Sequence, residues 1–532
     1  MHSPDRYNTL KLILWSVIMA LIGSVITKAL DNRMEREEVL ATGHGWDKVK
    51  LVLEQIEQNY VDSIDYEKVT EDILPVILNE LDPHSVYLPP KSMEEANAEL
   101  EGNFDGIGVT FNVPEDTAII ISVIAGGPSE RAGLMSGDRI IAVDGRNVAG
   151  VRINQDSLVG MLKGVSGTSV HLDIMRDSEM VEFDVTRDKI PVKSIDVAYM
   201  IDDTTGYMKL SKFTRTSYAE FSSAVPGLLE AGMKRLIFDL RDNTGGYLDQ
   251  ALLLSNEFLP SGSLIVYMEG KHRPRQNFYA DGSGKCQDIR LSVLVNENSA
   301  SSSEIFAGAM QDNDRAEIYG RRTYGKGMVQ EPIFFTDNSG IRLTVARFYT
   351  ATGRCIQKPY TPGDGLGYVY DIYERYEHGE MTNADSIVRN DSLKYVTPKG
   401  KVVYGGGGII PDVFVPVDTA GVTDLLVRIN RQALAVKYSA EVADRYRSEL
   451  RGVRTLDELN ALLDDMNLEA GFLSYLSRGG VTVDRRQWAV SGEIVLVQLR
   501  ALVGRYSPLD DRAFYPIIAA IDNVIQAAVT LQ

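Results

Sequence analysis

The chain has 532 residues, enough for roughly three or four domains at ~100–200 residues each. With 44% hydrophobic and 24% charged residues it can bury a core, and wholesale disorder is excluded. A formal net charge of −19 without any basic run argues against a nucleic-acid partner, because phosphate binding needs concentrated Lys and Arg.

Arg6 and Lys11 precede an apolar run from Leu12 to Ile26, followed by Lys28. This is a positive n-region and a hydrophobic h-region. The run is shorter than the ~20 residues of a spanning helix. Extending it from Leu10 to Leu30 takes in two lysines able to snorkel. No A-x-A site follows, so residues 1–30 are expected to be an uncleaved signal anchor rather than a cleaved signal peptide. Either way the remainder is exported, since positive charge stays inside, which puts it on the periplasmic side of the inner membrane, anchored or released.

Residues 31–45 read as a polar tether opening an N-terminal helical region over 31–102. Val49, Val52, Leu53, Ile56 and Tyr60 fall at helical spacing, then Ile73, Ile77 and Leu81. Pro75 is expected to start or kink the second of these helices. Leu81 to Pro90, LDPHSVYLPP, reads as a proline-bounded loop, and Ser92 to Glu95 as a capping box opening a short helix.

Over 103–190 short β-rich runs alternate with glycine turns: Gly106–Val113, Ala118–Ile124, Asp138–Gly145 and Ser169–Arg176. Short helices are predicted within Gly126–Leu134 and over Gln155–Leu162. From about 191 to 418 strands (Gly206–Phe213, Arg235–Leu240, Ser263–Met268, Leu291–Asn296) alternate with helices (Tyr218–Ala231, Tyr247–Phe258, Ser302–Asp312). That order predicts βαβ crossovers and a mostly parallel sheet. GMVQEP and IRLTVARFYT follow as strands. Residues 360–400, rich in Tyr, Gly and Asp, read as an insertion or long loop. The 419–532 segment is a helical extension, with capping-box spacing at Thr455 and Glu458. The fold class is therefore α/β and multidomain.

Three segments can carry chemistry. In VLVNENSASSSEIFAGAMQDN, Val293 to Asn313, a buried strand ends in a small-residue turn that places serines at a helix N-terminus. Free N–H groups and the positive dipole end there can hold an oxyanion. Ser301 and Glu304 are also spaced as a helix cap, and spacing alone leaves both readings open. In GRRTYGKGMVQ, Lys326 lies between Gly325 and Gly327 and shares a strand face with Met328 and Gln330. Desolvation there would make its amine a neutral base; a surface lysine in a glycine hairpin is the plainer reading. In DLRDNTGGYLDQA, Gly245 or Gly246 could bare a backbone N–H to a ligand, or serve only a strand-to-helix turn. No G-x-S-x-G and no S-x-x-K occurs. Nor does any CxxC, Cys/His zinc spacing or HExxH, so no metal or cofactor is expected. Cys286 and Cys355 could pair in an oxidising compartment.

Together these segments resemble the C-terminal processing peptidases, or tail-specific proteases. The resemblance runs over about 45–415 through DPHSVYL, DLRDNTGG, NENSASSSEIFAGAMQD and YGKGMVQ. It implies a serine endopeptidase with Ser301 as nucleophile, Lys326 as general base and Gln330 orienting the lysine. Ser302, where the family usually has alanine, would give one oxyanion N–H, and Gly245, or alternatively Gly246, the other. Asp312 would be supporting structure. The 103–190 module resembles a PDZ domain through GIGV, GGPSERAGL and GDRIIAVDG. Gly106, Ile107, Gly108 and Val109 would receive a substrate's carboxylate while its chain adds as an edge strand, and the module would gate the site. The expected partners are proteins or peptides with exposed apolar C-termini, and the membrane through the N-terminal segment. Residues 360–400 and 419–532 lie outside the shared pattern, as a platform for substrates, a homo-oligomer contact or structural padding. A non-catalytic, membrane-tethered PDZ adaptor is the competing expectation, and an ester hydrolase using the same dyad is a third.

Overall fold

The computed structural model describes residues 11, 14–30, 45–114 and 116–530, in two compact units, Met1–Val76 and Ile77–Gln532. In the first, Leu14–Leu30 is an apolar helix, and among the described residues no single helix is long and apolar enough to cross a membrane. The helix Gly45–Asn59 buries none of its residues. The tether expected over 31–45 lies, apart from Gly45, outside the described residues. The next helix, Tyr66–Asn79, runs through Pro75 instead of starting at it.

The second unit is built on a six-stranded sheet in the order Ile195–Met200, Thr205–Leu210, Arg235–Asp239, Arg290–Val295, Ala316–Gly320, Val413–Phe414. The first pair is antiparallel and all later pairs are parallel. Leu236, Ile237 and Phe238, like Val293, Leu294 and Val295, are fully buried. Continuous apolar strands of this kind need cover on both faces. Leu236, Phe238, Val293 and Val295 pack with residues of the helices Ser217–Glu230, Leu248–Asn256 and Ser302–Asp312. Ile237 and Leu294 look the other way, with Tyr207 and Tyr319, onto Val524, Ile525 and Ala528 of the helix Asn523–Thr530. The end of the C-terminal extension is thus a layer of the core.

A second, antiparallel sheet orders Val86–Leu88, Gly340–Thr350, Leu264–Gly270 and Arg273–Tyr279, with Met328–Phe334 also on Gly340–Thr350. The segment read as a proline-bounded loop therefore contains a short strand, which ties DPHSVYL to the sheet that carries the Lys326 segment.

The module at 103–190 is joined to the rest by a ribbon of Asn103–Gly106 with Asp188–Pro191. Its antiparallel sheet runs Val109–Asn112, Ala118–Val123, Arg139–Val143, Ser169–Arg176, Glu179–Thr186, with helices Pro128–Ala132 and Gln155–Leu162. Period-2 alternation divides Ala118–Val123 between two cores. Ala118 and Ile120 fill the module. Ile119 and Ile121 enter a second cluster with Leu425, Ile429, Val442 and Leu450 of the C-terminal helices.

One predicted start, and the loop alternative for residues 360–400, are corrected. The short helix runs Pro90–Glu101, with proline in its first turn rather than a box at Ser92, because proline's fixed φ suits that position. Residues 360–400 are not a loop: Gly365–Glu377 is a helix whose N-cap Asp364 accepts from Gly367 N–H. Thr455 does cap its helix, with Glu458. Cys286 and Cys355 are both free thiols.

Candidate active site

Arg235–Asp239, Arg290–Val295 and Ala316–Gly320 are successive parallel neighbours. Their carboxyl ends therefore lie side by side, where ligands bind in open α/β sheets. The loops that leave them hold Gly245 and Gly246, Ser301 and Ser302, and Lys326 respectively, so one edge of one sheet collects all three sequence segments.

The serine turn is locked to the glycine loop by its own hydroxyls. Ser299 Oγ donates to Leu240 O at 2.8 Å, Ser302 Oγ to Gly246 O at 2.9 Å and Ser303 Oγ to Asn243 O at 2.8 Å. Among the described residues Ser301 Oγ donates no hydrogen bond, and it stands as N-cap in a capping box with Glu304. Ser301 sits at φ 56°, ψ −114° as N-cap of the helix Ser302–Asp312. A non-glycine residue there is strained, and such strain persists only where surrounding contacts over-determine it.

Those contacts centre on Glu304, which is fully buried. Its Oε2 accepts from Ser301 N–H at 2.9 Å and from Lys326 N–H at 2.8 Å; its Oε1 accepts from Gly325 N–H at 2.7 Å and Thr323 Oγ1 at 2.5 Å. A second tie, Tyr324 N–H to Ser299 O at 3.0 Å, runs alongside. One carboxylate thus holds the serine turn against the lysine loop. Burial pushes its pKa up to about 7, against the pull of the four donors. Sequence reading saw only the local cap, because the other donors come from a different strand end.

Lys326 Nζ donates to Gln330 Oε1 at 3.0 Å, and among the described residues no hydrogen bond joins it to Ser301 Oγ. Burial, then the charge of Arg342, lowers the pKa of this lysine, while Glu304 and Asp82 oppose the shift. Gln330 Nε2 donates to His84 O. Burial and the neighbouring Lys326 bring the His84 ring down to about 4, so it is neutral near pH 7. No HExxH or Cys/His spacing marks His84 in the sequence. His84 reaches the site because its segment pairs into the second sheet.

Of the two candidate oxyanion glycines, Gly245 has φ +98°, and a Cβ there would lie 2.7 Å from Ser301 Cβ and 2.9 Å from Ser302 N. Its own N–H is already given to Asn243 Oδ1 at 2.9 Å. The N–H groups of Gly246 and Ser302 have no hydrogen-bond partner among the described residues. At the far end of the helix Ser302–Asp312, Asp312 pairs with Arg354 at 2.6 Å, both side chains fully buried.

In the 103–190 module, Val109–Asn112 is the terminal strand of its sheet, with one edge unpaired among the described residues. Gly106 ends the connecting ribbon and Ile107 is buried in the module's core. Gly108, at φ +76°, packs where a Cβ would come within 3.0 Å of Ile190 Cδ1. The N–H groups of Ile107 and Gly108 have no partner among the described residues.

A family model described as peptidase family S41 matches residues 204–366, and one for the PDZ domain matches 106–186. Over 354 residues the chain is 31% identical to the carboxy-terminal processing protease CtpA of Bacillus subtilis (strain 168), across 66% of this chain and 75% of that protein. It is also 31% identical, over 372 residues, to a probable CtpA-like serine protease of Staphylococcus haemolyticus (strain JCSC1435), across 67% of this chain and 73% of that one.

Proposed function

The chain belongs to peptidase family S41 as a CtpA-like carboxy-terminal processing protease, and from that premise we propose that Ser301 is its nucleophile and Lys326 the general base. It is a serine-type endopeptidase whose PDZ domain recognises substrate C-termini. One observation carries the choice of nucleophile. Of the serines in the turn, 299, 302 and 303 have their hydroxyls committed to backbone carbonyls, and Ser301 alone is left for chemistry.

The desolvated amine of Lys326 takes the Ser301 proton as the oxygen attacks the scissile carbonyl. Gln330 holds the amine until then. The N–H groups of Ser302 and Gly246 receive the oxyanion, each worth ~2.7–4 kcal/mol in comparable sites. Gly246 is preferred to Gly245, whose N–H is engaged. The amine then protonates the leaving nitrogen, and water hydrolyses the acyl-enzyme.

The substrate's C-terminus is read at Gly106–Val109. The N–H groups of Ile107 and Gly108 face its carboxylate, and the free edge of Val109–Asn112 pairs with its last residues. Exported location and attachment through the apolar helix Leu14–Leu30, with Lys11 and Arg6 on the inner side, complete the reading.

The test uses the full chain in detergent and an unstructured protein with an apolar tail. Ser301→Ala and Lys326→Ala should each abolish cleavage, a loss on the order of 10⁶ in kcat for the nucleophile of a comparable enzyme. Undiminished cleavage in either variant overturns the dyad.

A further inference from the structure

All but the first two residues of the helix Gly365–Glu377 lie beyond the matched family region, and the helix is outside the sequence motifs, yet one of its side chains reaches the catalytic lysine's surroundings. Tyr368 is 5% exposed. Its hydroxyl lies 2.9 Å from His84 Nε2 and accepts from Gln357 Nε2 at 3.0 Å. Gln357 Oε1 accepts in turn from Gly327 N–H at 2.8 Å. On the other side, His84 O accepts from Gln330 Nε2, and Gln330 Oε1 from Lys326 Nζ. The path leaves the side chain of Lys326, passes through Gln330, His84, Tyr368 and Gln357, and returns to the next residue's backbone.

The same helix also buttresses the loop around Lys326. Arg375, buried, donates to Thr323 O at 3.1 Å and Arg322 O at 2.7 Å. Lys358 Nζ donates to Tyr368 O and pairs with Asp371, each at 2.9 Å.

We propose that Tyr368 is a positioning residue for Lys326: its hydroxyl closes a hydrogen-bonded ring that fixes Gln330 and keeps water from the lysine amine. The inference rests on Lys326 being the general base. Among the described residues no hydrogen bond or ring contact joins the tyrosine to Ser301 or Lys326, and it acts on Lys326 through His84 and Gln357. The charged and titratable groups facing this region are Arg342, Glu304, Asp82 and His84 around Lys326, and Lys326, Asp82 and Lys358 around His84.

Tyr368→Phe keeps the ring that stands edge-on to His84 and beneath Lys358, and removes only the hydroxyl. With the ring opened, water reaches the amine and the protonated form is favoured. The expected result is a fall in kcat of about three- to tenfold with KM unchanged. The acid limb of the kcat/KM profile should also move to higher pH. Tyr373→Phe, on the exposed side of the same helix, should match wild type in both. His84→Leu removes the Nε2 contact from the other side while keeping the backbone carbonyl that Gln330 uses, and should move the acid limb in the same direction, which keeps the test open if Tyr368→Phe folds poorly. A lowered melting temperature with an unmoved acid limb in these variants overturns the inference and leaves the dyad standing. Cleavage surviving in Lys326→Ala overturns both.

Discussion

Glu304 has four donors on two oxygens, and only a carboxylate can accept from all of them. Glu304→Gln conserves the volume but replaces one acceptor with an amide that donates. At least one buried N–H, from Ser301, Lys326 or Gly325, then loses its partner, at about 1–3 kcal/mol. The variant should melt lower and cleave at least tenfold more slowly, because the Ser301 turn and the Lys326 loop lose their common anchor. The pH dependence has a definite sign. The folded pKa, about 7, lies above the ordinary 4.5. Stability from this group is therefore full below pH 4.5 and lost as pH rises through about 7. Chemical unfolding of both proteins at pH 4.5 and pH 7 should show wild type's advantage over Glu304→Gln narrowing across that window. If the advantage widened, the four donors would have outweighed burial. Ser301, Lys326 and Gln330 were legible as residues, because each sits in a local motif. The role of Glu304 was only half legible, since three of its four donors come from the segment 323–326, which no helical spacing connects to it.

Among the elements, those whose apolar positions follow their own period were readable, and Gln155–Leu162 and Ser302–Asp312 fall where the sequence put them. Gly365–Glu377 was not, and the reason is physical. Its inward positions are Tyr368 and Arg375, while Leu366, Val369, Tyr370, Tyr373 and Tyr376 are exposed. The polar-out pattern that marks a surface helix is inverted, and glycines at 365 and 367 add a loop-like start. The glycine turn was legible as a turn, but not that the side chain of Asn243 engages the N–H of Gly245. Gly245 has a further constraint that belongs to this scale. Its left-handed φ costs an L-residue about 1–2 kcal/mol, and an added Cβ would press on Ser301 Cβ at 2.7 Å and Ala300 O at 2.8 Å. Gly245→Ala should therefore displace the serine turn and lower kcat at least a hundredfold, with a modest fall in melting temperature. Activity within a few-fold of wild type would mean the two loops separate easily.

At the scale of the whole molecule, the C-terminal extension joins the PDZ domain to the peptidase core. Its last helix covers one face of the central sheet, and its earlier helices receive the outward face of Ala118–Val123. That strand is paired to Val109–Asn112, the strand proposed to accept the substrate tail. The sequence revealed the helices but not this placement, because it rests on pairing between segments some 300 residues apart. Two kinds of contact hold the seat. Ion pairs cross the seat from Arg139 to Asp444 and from Asp177 to Arg447, but Asp444 and Arg139 keep 29% and 33% of their side-chain surface exposed and Asp177 67%, and pairs of that kind contribute about 0–1 kcal/mol and weaken with salt. Ile119 and Ile121 are 6% and 7% exposed, and each buried isoleucine is worth about 1.5–3 kcal/mol. The apolar face therefore contributes more to holding the domain than the ion pairs do. Ile119→Ser with Ile121→Ser should free the PDZ domain while sparing its own core, which uses Ala118 and Ile120. Amide exchange should then rise in the C-terminal helix Leu434–Arg445 and along the ribbon Asn103–Gly106, but not in Ser169–Arg176 inside the domain. Asp444→Asn should change exchange little at any salt concentration. If Asp444→Asn loosened the domain as much as the double serine variant, the seat would be electrostatic, and raising the salt concentration alone would release it.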